Sequence, residues 1–351
     1  FTVSGKPEDW NLAGGLELHA ADLPPGEVEI KGSGTRESFT ARILDGSVLG
    51  GAVSGDVALD WSGPKPFTLS LTADSLGIAP LAPEYPGVLS GRVHADGQLE
   101  PFSLDLAIED LDGTVRSVPF SGGGSIALGP GRLAFSAFEL RSGPSLLRLD
   151  GDPYTRQGLG FVADIRSLSL FSDGLAGRLD GAGSLSIDSV TPRLSARLTG
   201  EDLVFGDVLI TRLEFKDSDL DDGGSVLTLT GLDTGQQVFE SIQIRSLDPQ
   251  PLRKMSVLAR TESARAELLF EGSIVDWSDF AGSGWKGGVS VVRLDYADKL
   301  SLLLDEPASL EIRAGEFALG RACFSGSRDS KLCAESSWRA PGDFELSAEL
   351  G

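Results

Sequence analysis

Two cysteines, Cys323 and Cys333, sit in RACFSGSRDSKLCAES, where a turn-rich stretch separates two strand-like runs. Neighbouring antiparallel strands bring Cα atoms to within ~4.5–5.5 Å, inside disulfide range. A bridge across a hairpin is therefore expected, with two buried thiols as the alternative. A bridge implies an oxidising compartment such as a bacterial periplasm. A second candidate is DSDLDDGG, where Asp217, Asp219 and Asp221 have the spacing that opens a calcium loop. Its twelfth position is Thr228 rather than Glu, and no helical pattern flanks it, so an acidic hairpin turn is expected instead. His19 and His94 occupy alternating positions expected to be polar, without paired-ligand spacing, and read as solvated strand histidines. No serine lies in a Gly-x-Ser-x-Gly elbow with plausible partners. GSGTRES and SGGGS lack the lysine and helix start of a phosphate loop. Neither a catalytic centre, a metal site nor a cofactor is expected, and the chain does not read as an enzyme.

The composition narrows the partners. The chain has 351 residues and a net charge of −22. That charge argues against nucleic acid, whose phosphates need a basic surface, and against a polybasic grip on anionic headgroups. Forty-five glycines, 18 prolines and one methionine, with only 7% aromatics, leave Leu, Val, Ile and Ala to supply the buried volume. No apolar run approaches the ~20 residues of a membrane-spanning helix, and no signal peptide is evident. The chain opens at Phe1 without an initiator Met and closes in FELSAELG within a strand pattern. It is expected to be a segment of a longer protein, with any anchor or targeting signal outside it.

Period-2 alternation dominates the elements that carry these residues. In PFTLSLTAD, Phe67, Leu69, Leu71 and Ala73 share one face; in PFSLDLAIED, Phe102, Leu104, Leu106 and Ile108 do. Ser103, Asp105 and Glu109 point the other way. RLSARLTG places Leu194, Ala196 and Leu198 on one face, and FELSAEL places Phe344, Leu346, Ala348 and Leu350 there. Helical pattern is almost absent. Pro307 and the alternation at Leu310 and Ile312 argue against a helix in LSLLLDEPASLEI. Short helical turns are expected, if anywhere, at Ala79–Tyr85 and Ser278–Gly282. GPKP, LGPG, SGGG and DDGG mark turns.

One hairpin is written three times: LGGAVSGDVALD from Leu49, LSGRVHADGQLE from Leu89 and LAGRLDGAGSLS from Leu175. Each has glycine two residues after its opening leucine (Gly51, Gly91, Gly177) and leucine at its eleventh position (Leu59, Leu99, Leu185). Repetition on this length scale suggests a stacked array rather than one globular core. Serial antiparallel hairpins joined into one long sheet fit best.

The C-terminal third carries a family resemblance. SGWKGGVSVVRLDY, LDEPASLEIRAGEFAL, ACFSG, KLCAESSW and FELSAEL follow one another in order. Trp285, Gly287, Pro307, Leu310, Cys323, the Leu332–Cys333 pair and the Leu346 strand carry it, and GRLDGAGSLS with PRLSARLTGEDLVFGDVLITRLEF extends it upstream. This resembles the TamB family of the AsmA-like superfamily. The resemblance implies an all-β fold, a long repetitive antiparallel sheet curved into an open solenoid or β-taco groove. It further implies an internal periplasmic segment, one elongated body over residues 1–351 built of ~40-residue hairpin repeats, within a protein anchored in the inner membrane. The family's roles are phospholipid movement between membranes and assembly of outer-membrane proteins with the barrel partner TamA. Groove-lining residues are then expected at Phe67, Leu69, Leu71, Leu104, Leu106, Ile108, Leu194, Leu198 and Leu346, in a monomer whose ligands are phospholipid acyl chains. The competing expectations are a scaffold for outer-membrane strands, which would use the sheet edges, and a structural solenoid with a sealed core.

Overall fold

Alternating apolar and polar residues, punctuated by Gly- and Pro-bearing turns, can satisfy their backbone groups only by pairing side by side. In the computed structural model they do so throughout. The structure describes the chain apart from residues 21–22, 188–191, 218–223, 248–252, 276–283, 298, 314, 327–329, 340–342 and 351. It falls into two units, Phe1–Arg166 and Ser167–Gly351.

The first unit holds β1 (Thr2–Lys6), β2 (Asp9–Ala20), β3 (Leu23–Gly34), β4 (Ser38–Val48), β5 (Gly51–Asp60), β6 (Pro66–Gly77), β7 (Gly87–Leu99), β8 (Phe102–Val115), β9 (Val118–Gly129), β10 (Arg132–Ser142), β11 (Ser145–Asp152) and β12 (Gly158–Ile165). Each strand pairs antiparallel with the next in sequence. The second unit begins with a 3-10 turn at Leu168–Leu170. It continues with β13 (Leu175–Ile187), β14 (Pro192–Phe205), β15 (Val208–Lys216), β16 (Val226–Asp233), β17 (Val238–Ser246), β18 (Lys254–Arg260), β19 (Ala264–Val275) and β20 (Gly284–Tyr296). It ends with β21 (Leu300–Leu304), β22 (Ala308–Arg313), β23 (Glu316–Gly326), β24 (Lys331–Arg339) and β25 (Asp343–Leu350). This unit is also an antiparallel meander, with one departure: β21 and β22 share a single lane between β20 and β23. Pro307, which lacks an N–H, falls in the gap between them, so LSLLLDEPASLEI is two short strands and not a helix.

The repeated hairpin has a structural cause. Its second strand reads LTADSL, LAIEDL or LTGEDL, and the fifth residue of each is left-handed: Ser75 (φ 59°), Asp110 (φ 49°) and Asp202 (φ 51°). Ser and Asp are short and polar, and Asp is among the few L-residues enriched in this conformation. These residues form β-bulges, and the repeat's glycine lies against them. Asp110 and Leu111 oppose Gly91 alone, and Asp202 and Leu203 oppose Gly177 alone. A Cβ on Gly51 would stand 2.5 Å from the Ser75 carbonyl oxygen, and one on Gly177 2.4 Å from that of Asp202. What recurs in the second and third copies is therefore a bulged hairpin with a side-chain-free partner; in the first, the bulge at Asp74–Ser75 opposes Ser90 of β7 and Gly51 lies against its other side. A bulge bends its strand and increases the local twist, which lets a many-stranded sheet curve.

One expectation is corrected at Ala79–Tyr85, which forms turns rather than helix. The Leu81 and Ala82 amides both donate to the Ile78 carbonyl, and Tyr85 donates to Ala82. Pro80, Pro83 and Pro86 supply no donors, so a helical ladder cannot propagate. The expected helical turn at Ser278–Gly282 lies outside the described residues.

Candidate functional site

Residues directly opposite in an antiparallel pair share a face. The registers of the first unit therefore assemble rows that cross many strands. One row runs Trp10, Gly34, Phe39, Leu59, Phe67, Gly97, Leu104, Leu128, Leu133. The next runs Leu12, Gly32, Ala41, Val57, Leu69, Ala95, Leu106, Ile126, Phe135. A third runs Gly14, Ile30, Ile43, Gly55, Leu71, Val93, Ile108, Gly124. None of these positions carries a charge. Six of the expected lining residues, Phe67, Leu69, Leu71, Leu104, Leu106 and Ile108, thus stand on one face of the first unit, each half-buried.

The glycines in these rows make room for rings. Trp10 and Phe39 stack at 5.5 Å across the intervening β3, where Gly34 stands; a Cβ there would lie 2.2 Å from the indole. A Cβ on Gly97 would lie 2.6 Å from the Phe67 ring. Large aromatics laid over glycines smooth the face without helices or a methionine-rich filler. No sequence pattern signalled this, because the aromatic and its glycine are brought together only by register.

The second unit repeats the design. Leu198, Phe215, Leu227, Ile244, Val257, Leu268 and Val292 form one row across β14–β20. Its densest packing gathers Val289, Val292, Leu304, Ala308, Leu310 and Ala322, with Trp285 edge-on to Phe270 at 6.1 Å beside them. Leu194 opposes Leu185, and Leu346 opposes Ser336, which opposes Leu319. Both leucines lie on apolar rows but are 40% and 60% exposed, against the half-burial of Leu198.

The apolar faces are only partly covered. Accessible surface totals 21154 Å² for 36.8 kDa. Two separate compact bodies of that combined mass would expose roughly 16,000 Å². Buried positions include the small Ala41, Ala95, Ala163, Ala196 and Ala322 as well as Leu203, Val289, Leu304 and Leu310, while Phe67, Leu69, Leu71, Leu104, Leu106 and Ile108 keep some contact with solvent.

The opposite faces are polar and ion-paired. Arg148 and Arg141 both donate to Glu139 at 2.5 Å; the Arg148 bond is the larger cause that holds this carboxyl below the usual carboxylate range. Asp295 is likewise held low, first by the Ser301 hydroxyl at 2.7 Å and then by Arg293. Arg42 and Asp56 pair at 2.7 Å, and the carboxylate raises the guanidinium's pKa. His19 is exposed. His94 stands between Ser70 Oγ, 2.7 Å from Nδ1, and Asp96 Oδ2, 2.8 Å from Nε2. This Ser–His–Asp chain lies on a solvated strand face. No group of three metal-ligating side chains occurs among the described residues. Most of the acidic stretch considered for calcium, including Asp219 and Asp221, lies outside them. No helix among the described residues is long and apolar enough to cross a membrane.

Cys323 and Cys333 are directly opposite in the β23–β24 pair and are joined as a disulfide. Their neighbours Ala322 and Phe324 face the apolar side, which places the bridge on the polar side.

The family described as "TamB, N-terminal domain" matches residues 1–349. A curated relative, "Translocation and assembly module subunit TamB" of Haemophilus influenzae, is 23% identical over 288 residues, covering 78% of this chain and 21% of the relative. The chain thus spans about a fifth of that relative's length. No solved structure matches.

Proposed function

The chain belongs to the TamB N-terminal domain family, and from that membership and its uncharged apolar face we propose that it is a non-enzymatic lipid-conducting segment in the periplasm of a Gram-negative bacterium. The observation that carries this is the set of rows in which Phe67, Leu69, Leu71, Leu104, Leu106 and Ile108 stand, uncharged across consecutive strands and only half-buried.

The dimensions and energetics suit acyl chains. From Phe67 to Ala73 the apolar face of β6 extends ~20 Å along the strand, longer than the ~15 Å of one leaflet's hydrocarbon. Strands repeat every ~4.8 Å across the face, so a chain lying on it meets the same environment at each step. A two-chain lipid has some thirty methylenes. Leaving them in water costs up to ~25 kcal/mol, whereas exchange between one Leu- and Phe-lined row and the next is nearly isoenergetic. Headgroups stay in water at the strand ends. No nucleophile or cofactor is required. The chain would act as part of a longer, inner-membrane-anchored bridge, and a TamA-like outer-membrane barrel would meet that bridge outside residues 1–351.

The test is direct. The purified chain should carry phospholipid detectable by mass spectrometry. A photo-crosslinker at Leu69 or Leu104 should label acyl chains, and one at Asp105, on the opposite face, should not. Labelling from neither apolar position, with a dry interior, would leave a sealed solenoid. Capture of outer-membrane strands along the sheet edges in place of lipid would favour the assembly scaffold that the relative's name suggests.

A further inference from the structure

We propose that the Cys323–Cys333 bond is a redox-conditioned staple that keeps β24 and β25 docked at a weak place in the second unit's ladder. The proposal does not depend on the lipid reading. The weakness has two parts, on either side of β23. On one side, the lane formed by β21 and β22 is interrupted at Asp305–Glu306–Pro307. Leu304 opposes Phe324 and Leu310 opposes Leu319, and Gly320 lies against Ser309 at the start of β22, so the residues between Gly320 and Phe324 border the interruption. Across this gap the Asp305 amide donates to the Cys323 carbonyl at 2.8 Å. On the other side, the β23–β24 register shifts between Leu319 and Ala322, so Gly320 and Arg321 oppose Glu335 alone. The disulfide lies immediately beyond that bulge, at the first residue pair after Ala322–Ala334.

The remaining ties of β24 and β25 are thin. The Arg321–Glu349 ion pair, 2.7 Å long, reaches over β24 to β25, but its side chains are 62% and 71% exposed, where such pairs contribute little. Trp338, Phe344 and Leu346 are 40%, 61% and 60% exposed. The well-packed cluster of Val289, Val292, Leu304, Ala308, Leu310 and Ala322 stops at β23. Few buried contacts beside an irregular ladder define a segment that opens locally. The disulfide opposes that opening by keeping the ends of the 323–333 loop together.

Reduction by a dithiol transfers two electrons and two protons to the bridge. The S–S bond breaks, both cysteines become thiols, and the reductant leaves as its own disulfide. The bridge lies on the polar face, within reach of a small reductant.

Hydrogen exchange followed by mass spectrometry tests this on the whole chain, comparing oxidised protein, protein in dithiothreitol, and the Cys323→Ala/Cys333→Ala variant. Amides of β24 and β25 should exchange roughly a hundredfold faster without the bridge, from loop entropy, while those of β13–β19 keep their protection. Unchanged exchange in β24 and β25, or equal acceleration throughout the second unit, overturns the proposal. If the double variant does not fold, stepwise reduction of the native protein decides. Loss of protection in β24 and β25 at reductant levels that leave β13–β19 protected supports the staple, and simultaneous loss overturns it.

Discussion

Leu106 offers the sharpest test of whether the apolar face is open. It stands between Ala95, 3% exposed, and Ile126 in a row without a charged residue, so an arginine placed there finds no carboxylate in its own row. Leu106 is itself half-buried. Leu106→Ala forfeits part of one leucine's burial, about 1–2 kcal/mol. For a unit of this size that lowers the melting temperature by about 3–8 °C. Leu106→Arg loses the same contact and adds the cost of placing the guanidinium. On an open face the charged head reaches water and its stem covers the neighbours, adding less than about 1 kcal/mol. In a sealed interior it is buried and unpaired, adding about 3–5 kcal/mol, or about 6–20 °C. The difference between the two variants isolates the charge, because the lost leucine cancels. Far-UV circular dichroism melts of wild type, Leu106→Ala and Leu106→Arg measure it, with Asp105→Arg as a polar-face control expected within about 0.5 kcal/mol of wild type. An arginine variant melting within a few degrees of the alanine variant is expected. A gap above about 6 °C would refute the open face and the conduit with it.

Four further outcomes follow from particular positions. Gly177→Ala must hold a left-handed φ of 99° with its Cβ 2.4 Å from the Asp202 carbonyl; urea titration should show a loss of about 2–3 kcal/mol. Gly50→Ala, with φ 77° and open space around it, should cost only about 1 kcal/mol. Gly97→Val should displace the Phe67 ring, whose nearest carbon is 2.6 Å from the new Cβ, and appear as a loss of near-UV aromatic signal together with a lower melting temperature. Glu139 has a folded-state pKa depressed chiefly by Arg148. Its contribution is therefore present above the ordinary glutamate range of about 4.3 and is lost as pH falls through the folded value. Urea midpoints should stay level from about pH 8 to 5 and drop below about pH 4, with a shallower drop in Glu139→Gln.

Face assignment needed only the alternation of Phe67, Leu69, Leu71 and of Leu104, Leu106, Ile108, because a strand's side-chain period is two wherever the strand sits. The all-β class, the hairpin that brings Cys323 to Cys333, and the absence of helix around Pro307 were legible for the same reason: each depends on contacts a few residues apart along the chain. Register lay beyond that range. Which glycine opposes Phe67, and that Trp10 meets Phe39 over Gly34, depends on pairing between strands whose sequences carry no mark of their partners. The repeated glycines Gly51, Gly91 and Gly177 were visible as a motif. Their purpose was not, because a bulge at Asp74–Ser75, Asp110 or Asp202 exists only once two strands are aligned and one has a residue to spare. Exposure was equally hidden. Leu194, Leu198 and Leu346 look alike in their alternating runs, yet they differ in burial because neighbouring strands cover Leu198 more completely than the other two. Local periodicity sets the direction of a side chain; how deeply it is covered depends on strands far away in the sequence.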